Sequence, residues 1–197
     1  MTRISHSIRF IPQVLRDTLV RAPNIITKHI RLLTAIALLS VHALACAQSL
    51  WGGAEYGMSV EQVKSTVPNV TTPDSPSRLG DGAQELLRLE NVEIVNKRFT
   101  ASFYFIAGKV TQVTLSLEKG HTFHSAMLVF NSLTEALRTK YGSEISRNIN
   151  RGLLNRANST WMAGRTNISV LTMSVGEIDA ILNINYQVRV AHDADKL

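Results

Sequence analysis

The chain has 197 residues, of which 45% are hydrophobic and 18% are charged, so it is long enough to bury a core of its own. Its net charge of +6 is unevenly placed, because the residues before Cys46 include six basic side chains and one acid, a net charge of +5. The remainder carries 15 basic and 14 acidic residues, or +1. The overall charge therefore does not predict binding to nucleic acid, which requires positive charge on the folded part of a chain.

The first 47 residues have the three parts of a secretory signal. Basic residues extend to Arg31, an apolar stretch runs from Leu32 to Ala45, and small residues follow. The apolar stretch has about 14 residues, fewer than the roughly 20 that a membrane-spanning helix needs, which predicts export rather than a span. The long basic part agrees with a translation start near residue 20 or, alternatively, with an organelle presequence over residues 8–20.

Cys46, the single cysteine of the chain, lies beside the predicted cleavage point. Signal peptidase I requires small residues at positions −3 and −1, and cleavage after Ala47 satisfies both. This cut removes the cysteine and leaves residues 48–197 as the mature chain, without a disulfide to stabilise it. Lipidation at Cys46 is the alternative, although Ala43 and Leu44 nearly reverse the usual order before a lipid-modified cysteine. We therefore predict a periplasmic or secreted protein, with a lipid-anchored form as the alternative.

The mature part begins with a short helix. Ser59 and Gln62 have the spacing of a capping box, valines recur on one helical face, and Pro68 ends the helix. Residues 69–82 are rich in Pro, Ser, Asp and Gly and are predicted to form a surface loop. Alternation of apolar and polar residues then predicts an antiparallel meander with one buried face, whose three strands lie at 85–95, 98–106 and 110–118.

The second half of the chain follows the same order. Residues 123–141 carry apolar side chains along one helical stripe, and Gly142 is the expected C-cap. After a stretch rich in Asn and Arg, three more strands are predicted up to residue 190, with turns at Ala163-Gly164-Arg165 and Val175-Gly176-Glu177.

The two halves, at about 55–118 and 121–190, predict an α+β fold in which helices pack on antiparallel meanders within a single domain, 48–197. Two tandem αβββ units would explain the repeated order. Chance similarity between two such stretches explains it as well, so the duplication is left open.

One stretch of the mature chain is strongly basic. Between residues 138 and 165 a single acid, Glu144, accompanies six basic side chains: Arg138, Lys140, Arg147, Arg151, Arg156 and Arg165. A surface with this charge would attract the phosphates of an anionic envelope component or the carboxylates of a partner protein. The alternative interpretation is a mobile loop that its charge keeps in solution. Tyr141 and Trp161 are the aromatic residues in this stretch, fewer than the interleaving that binding of single-stranded nucleic acid would require.

Candidates for catalysis are sparse. His121 and His124 are three residues apart near a helix start, which would allow both rings to approach one metal ion. Zinc sites generally have three or four protein ligands, and no carboxylate stands at a matching position within the helix. The sequence has no nucleophile elbow, Walker motif or dinucleotide-binding glycine motif. We therefore predict a protein without catalytic activity or cofactor; a metal-dependent or hydrolytic enzyme that uses the two histidines is the alternative.

The segment WGGAEYGMSVEQV carries a resemblance to known families. Its Gly57-Met58-Ser59 followed by Val63 resembles the opening helix of outer-membrane assembly lipoproteins of the SmpA/OmlA type, and the tandem helix-then-sheet layout resembles the β-lactamase-inhibitor-protein fold. Those families bind proteins rather than catalyse, and the resemblance implies the same bias here. We therefore expect an exported protein that binds an envelope protein or an anionic envelope component, with its oligomeric state left open.

Overall fold

Seven antiparallel strands form one sheet within residues 48–152, 154–175 and 179–189, which are the residues that the computed structural model describes. In chain order the strands are β1 (Gln84–Ile94), β2 (Lys97–Ile106), β3 (Lys109–Leu117), β4 (Ser146–Asn150), β5 (Arg156–Ala163), β6 (Thr166–Val175) and β7 (Asp179–Val188). Their order across the sheet is β1-β2-β3-β7-β6-β5-β4. The pairing of β3 with β7 therefore joins the two halves of the chain at the centre.

The described residues also include two helices, α1 (Val60–Thr66) and α2 (Phe123–Tyr141). The α+β class and the antiparallel sheet that the sequence predicts are thus confirmed. Neither helix in this part of the chain has the length and apolar character that crossing a bilayer requires. The leader 1–47 with Cys46, and the turn residues Gly176 and Glu177, lie outside the described residues, so the predictions about them stay predictions.

Both helices begin and end where local chemistry predicts. At α1 the Ser59 hydroxyl accepts a hydrogen bond from the Gln62 amide, and the Gln62 side chain accepts one from the Ser59 amide at 2.8 Å, which confirms the capping box. At α2 the Thr122 hydroxyl accepts from the Ser125 amide, and Gly142 is the C-cap. Gly142 has a φ of 82°, a conformation that glycine adopts without a steric penalty.

The first three strands form the meander that the alternating pattern predicts. On β2 the residues Phe99, Ala101, Phe103 and Phe105 are all buried on one face of the sheet. Ala107 and Gly108 connect β2 to β3, and both have positive φ angles, as the favoured two-residue hairpin turns require. The hairpin therefore fixes the register that keeps the phenylalanines in the core.

The core lies between this buried face and the segments that cover it. Over the first half, Trp51 packs against Phe103 with ring centroids 6.4 Å apart, and Val63 of α1 is fully buried. Over the second half, α2 packs on β5, β6 and β7 through an apolar stripe that includes Phe130 and Leu133. The Trp161 indole is buried below the end of α2 and donates a hydrogen bond to the Gly142 carbonyl at 3.0 Å.

β4 is a strand that the sequence pattern does not predict. All five of its residues are exposed, yet it pairs in antiparallel register with β5, with Arg147 opposite Ser159 and Ile149 opposite Ala157. The interpretation of the basic stretch as a loop is therefore wrong for residues 146–150. The second half of the chain has four described strands after its helix, whereas the first half has three.

Candidate functional site

The second face of the sheet is polar and mostly uncharged across its central strands. Side chains alternate along each strand, so the residues opposite the core face outward on this side. A row of hydrogen bonds crosses three strands, from Gln112 to Thr114 of β3, from Thr114 to Asn185 of β7, and from Asn185 to Ser169 of β6. Further side-chain amides and hydroxyls lie on the same face of β6, β5 and β4: Asn167, Asn158, Thr160, Asn148 and Asn150.

The polar face ends at one margin of the sheet, which we call the edge hairpin: strands β4 and β5 with the described part of their connection, residues 146–152 and 154–163. β4 is the last strand of the sheet, and its outer side is not paired to any described residue. A depression of about 390 Å³ lies on the polar side of the hairpin, lined by Ser146, Asn148, Asn150, Arg156 and Asn158.

The six predicted binding residues do not form one continuous surface. Arg138 is held by two carboxylates, with Nε 2.7 Å from Glu144 Oε2 and Nη1 2.7 Å from Glu135 Oε1. The hydrogen bond from Arg138, a backbone hydrogen bond and the charges of Arg138 and Arg147 lower the pKa of Glu144 to about 2, so this carboxylate is ionised and pairs with both arginines. Lys140 is exposed on the last turn of α2, with its ammonium 5.1 Å from the Tyr141 ring centroid.

Arg147 bridges the edge hairpin and α2. Its guanidinium donates to the Asn131 side chain at 3.1 Å and lies 5.6 Å from the centroid of the Phe130 ring. A second guanidinium nitrogen is 3.8 Å from Glu144, so the structure brings Arg138 and Arg147 together around one acid. Both arginines therefore help to hold α2 against β4.

Arg151, Arg156 and Arg165 are exposed, but they lie at two different places. Arg151 is in the connection between β4 and β5, and Arg156 begins β5 at the polar depression. Arg165 lies in the turn after β5, nine residues from Arg156, which at roughly 3.3 Å per residue is about 30 Å along the strand. Its backbone amide donates to the Gln48 side chain, far from the β4 end of the hairpin.

Exposed apolar side chains surround the same margin of the sheet. Ile149 on β4 is 42% exposed, Ile145 before it is 65% exposed, and Leu154 in the connection is 63% exposed. Leu128 on the neighbouring helix α2 is 59% exposed. Apolar residues gathered beside arginines are typical of surfaces that bind other proteins. The edge hairpin with Leu128 is therefore the candidate functional site.

A larger cleft of about 720 Å³ lies at the other end of the polar face. Thr111, Asn167 and Gln187 are among its lining residues, and Lys109, Arg189 and Asp81 supply charges. None of the basic residues predicted for binding lines it. This cleft is a second concave feature of the same face.

The two candidate metal ligands lie at the start of α2. His121 is partly buried, with Nδ1 3.3 Å from the Ser125 hydroxyl, and His124 is exposed. Within the part of the chain that the structure describes, no group of three or more His, Cys, Asp or Glu side chains is placed to hold a metal ion. Neither histidine lines the 720 Å³ cleft or the depression on the edge hairpin.

The sequence predicts the arginines as binding residues, but it does not indicate the exposed apolar residues that lie beside them. Ile145 and Ile149 stand singly among polar residues and Leu154 follows one other leucine, so they give no periodic signal. A cue was nevertheless present, because residues 145–165 contain four arginines and no acid, and apolar residues are interspersed among them.

No family model matches the chain, and no curated protein or solved structure matches it either. The resemblance of residues 51–63 to envelope lipoproteins therefore stays a prediction.

Proposed function

We propose that this is an exported binding protein without catalytic activity, and that it engages an envelope protein or another anionic envelope component through the edge hairpin. One observation carries the proposal. Arg151 and Arg156 lie exposed with Ile149 and Leu154 at a margin of the sheet where no described backbone pairs. Cations and apolar side chains at one site give a partner both electrostatic attraction and surface to bury.

The local charge supports an anionic partner. Glu144 is the nearest acid in the sequence before the hairpin, and it is already engaged by Arg138 and Arg147. Neither Arg151 nor Arg156 makes an ion pair with another described residue. Their charge is therefore available to a ligand, and exposed charges of this kind mainly raise the rate of association.

Charge reversal tests the site. The variant with Arg151→Glu and Arg156→Glu should capture the partner from envelope extracts at least about tenfold less efficiently than the unaltered protein, because attraction becomes repulsion. The matched control is Arg165→Glu, which reverses an exposed arginine at the far end of β5 and should leave capture unchanged. Equal capture by the double variant and the unaltered protein would contradict the proposed site.

Export is a separate part of the proposal, supported by the basic, apolar and small-residue sections of the leader. Intact mass of the protein recovered from the envelope tests it. Cleavage after Ala47 predicts a chain that begins at Gln48, and lipidation predicts an acylated chain that begins at Cys46. Recovery of the uncut chain from the cytoplasmic fraction would contradict export.

We also propose that the two halves are copies of one αβββ unit, with β4 added to the second. The meanders β1–β2–β3 and β5–β6–β7 have the same strand order, and their last strands pair with each other antiparallel, as a twofold relation would produce. Superposition of one meander on the other in an experimental structure should place α1 on α2. Helices at unrelated positions would contradict the duplication.

A further inference from the structure

We propose that the edge hairpin binds its partner by strand addition: an extended acidic peptide segment pairs with the outer side of β4 as an eighth strand. The inference rests on the proposed function in taking this hairpin as the binding surface, and it adds the mode of recognition and the chemistry of the partner. The backbone of β4, the exposed apolar side chains near it, and the charge of the hairpin each support it.

The outer side of β4 offers an unpaired ladder. β4 is terminal in the strand order, and the isolated bridges between other described residues do not involve it. Exposed sheet edges are usually protected by Lys, Pro, a bulge, an inward-pointing charge, a very short strand or a covering segment. β4 is short, but it pairs with β5 in regular register and contains neither Lys nor Pro, and its one charge, Arg147, is engaged by Asn131 and Glu144. Its five residues are therefore suited to pair with an added strand.

Two exposed apolar side chains lie on the side of the sheet that α2 covers, near β4. Arg147 of β4 contacts Asn131 and Phe130 of α2, which fixes the helix beside the strand. Ile149 follows Arg147 on the same face of β4, and Leu128 lies one turn before Asn131 on α2. Both are exposed, so they can contact apolar side chains on every second residue of an added strand.

The other side chains of the added strand would face Arg156 and the polar depression. Arg156 lies there with Asn148, Asn150 and Asn158, and Arg151 is in the adjoining connection. Acidic residues alternating with apolar ones therefore match the two faces of the sheet at β4.

Charge also distinguishes this partner from a second copy of the chain. Pairing of two β4 strands would bring Arg147, Arg151 and Arg156 of each copy together, without an acid between residues 145 and 165 to offset them. Like charges brought together in this way oppose association. A lipid headgroup could meet the arginines, but it has no backbone donors and acceptors to continue the ladder.

A model peptide tests the proposal directly. The probe is an acetylated and amidated nonapeptide of alternating Glu and Val, added to the protein purified after expression of the full chain. Binding should slow hydrogen exchange of those amides within residues 146–150 that point away from β5 by about tenfold or more, because added ladder bonds protect them. The Arg151→Glu, Arg156→Glu double variant should bind the peptide at least about tenfold more weakly, and Arg165→Glu should bind it normally.

Two N-methylated peptides separate strand addition from attraction of charge alone. One is methylated at every Val amide and the other at every Glu amide, so each has one edge blocked while both keep the same charge and side chains. At least one of them should bind about tenfold more weakly than the unmodified peptide. Binding of both methylated peptides as tight as that of the unmodified peptide would overturn strand addition, as would β4 amides that point away from β5 and are already protected in the free protein. Stronger protection of these amides by phosphatidylglycerol vesicles than by the peptide would also overturn it.

The outcomes for the two proposals can be told apart. If both methylated peptides bind normally but charge reversal abolishes capture from envelope extracts, strand addition fails and the proposed function stands. If peptide binding is sensitive to methylation but capture is unaffected by charge reversal, strand addition stands and the proposed function fails.

Discussion

Glu85 is almost fully buried, and five hydrogen bonds hold it as an anion. Its Oε1 accepts from Arg88 Nε and Ser102 Oγ, and its Oε2 accepts from the Ser77 amide, the Ser77 hydroxyl and Arg88 Nη2. Because the Ser77 hydroxyl donates to Glu85, the Tyr104 hydroxyl 2.8 Å away donates to Ser77. The cluster therefore fastens the loop 69–82 to the sheet.

The ionised state of Glu85 predicts a pH dependence of stability. Burial by itself would raise its pKa, but the hydrogen bonds from Arg88, Ser77 and Ser102 outweigh burial and lower the pKa from 4.5 to about 2. A carboxyl with a lowered folded pKa stabilises the protein above the unfolded pKa, and this contribution is lost as the pH falls from about 4.5 to about 2. The loss for this group is about 3 kcal/mol, since each unit of pKa shift corresponds to roughly 1.4 kcal/mol.

Glu85→Gln should lower the free energy of unfolding by about 2–4 kcal/mol at pH 7, because an amide nitrogen would face donors and Arg88 would lose its counterion. The decrease should shrink below pH 4.5. Urea unfolding at pH 7 and pH 3 measures it. The matched control is Glu118→Gln, whose exposed pair with Arg98 should contribute no more than about 0.5 kcal/mol. Equal effects of the two substitutions would contradict the role of Glu85.

Ser159 differs from Glu85 because its buried hydroxyl has no hydrogen-bond partner among the described residues. Ser159→Ala should therefore leave the free energy of unfolding unchanged or raise it by about 1 kcal/mol. The control is Thr172→Val, which removes a buried hydroxyl that donates to the Ile181 carbonyl at 2.9 Å, and which should cost about 1 kcal/mol. Thermal unfolding compares them. A clear loss of stability in Ser159→Ala would show that its hydroxyl is hydrogen-bonded.

At the scale of elements, the link between α2 and β4 holds the edge strand in place. Glu144 follows the helix and binds Arg138 on the last turn of α2 with both carboxylate oxygens. The pKa of Arg138 is raised by this contact, chiefly through the hydrogen bond to Glu144. Arg147 then joins β4 to the middle of α2. The chain thus turns back along α2 into β4, whose outer side is left without a paired strand.

Glu144→Gln should loosen β4 while leaving the central strands intact. Above about pH 4.5 the amides of residues 146–150 should exchange several-fold faster in the variant, because Glu144 with its lowered pKa is ionised there. The difference should disappear as the pH falls toward 2. Hydrogen exchange followed by mass spectrometry measures it, with Glu135→Gln as the control, since Glu135 is 71% exposed. Unchanged exchange at β4 in Glu144→Gln would contradict the link.

The elements that the sequence predicts are those whose side chains repeat with the period of the structure. β2 places Phe99, Ala101, Phe103 and Phe105 on one buried face. The capping box of α1 is formed by two residues three positions apart in the sequence. β4 has no such signal, because all five residues are exposed and its place depends on pairing with β5 and on the contacts of Arg147 with α2. A pattern of burial cannot predict a strand that buries nothing.

At the scale of the whole molecule, one face of the sheet builds the core, and the other is polar and mostly uncharged across its central strands and ends at the edge hairpin. The count of arginines in the sequence predicts a basic region but not its distribution. Local sequence does not reveal that Glu144 engages Arg138, that Arg147 contacts Phe130, or that Arg165 lies at the far end of β5. These facts depend on contacts between elements that are distant along the chain.

Site-specific photocrosslinking in cells tests the central claim, that the edge hairpin is the binding surface. A benzoylphenylalanine replaces Ile149 on the edge hairpin in one variant. In two control variants it replaces Gln187, on the polar face of β7, or Arg165, beyond the far end of β5. The account predicts a specific adduct with a partner from position 149, which the Arg151→Glu, Arg156→Glu double substitution abolishes. No adduct from position 149, or the same partner captured only from position 165 or 187, would contradict the account.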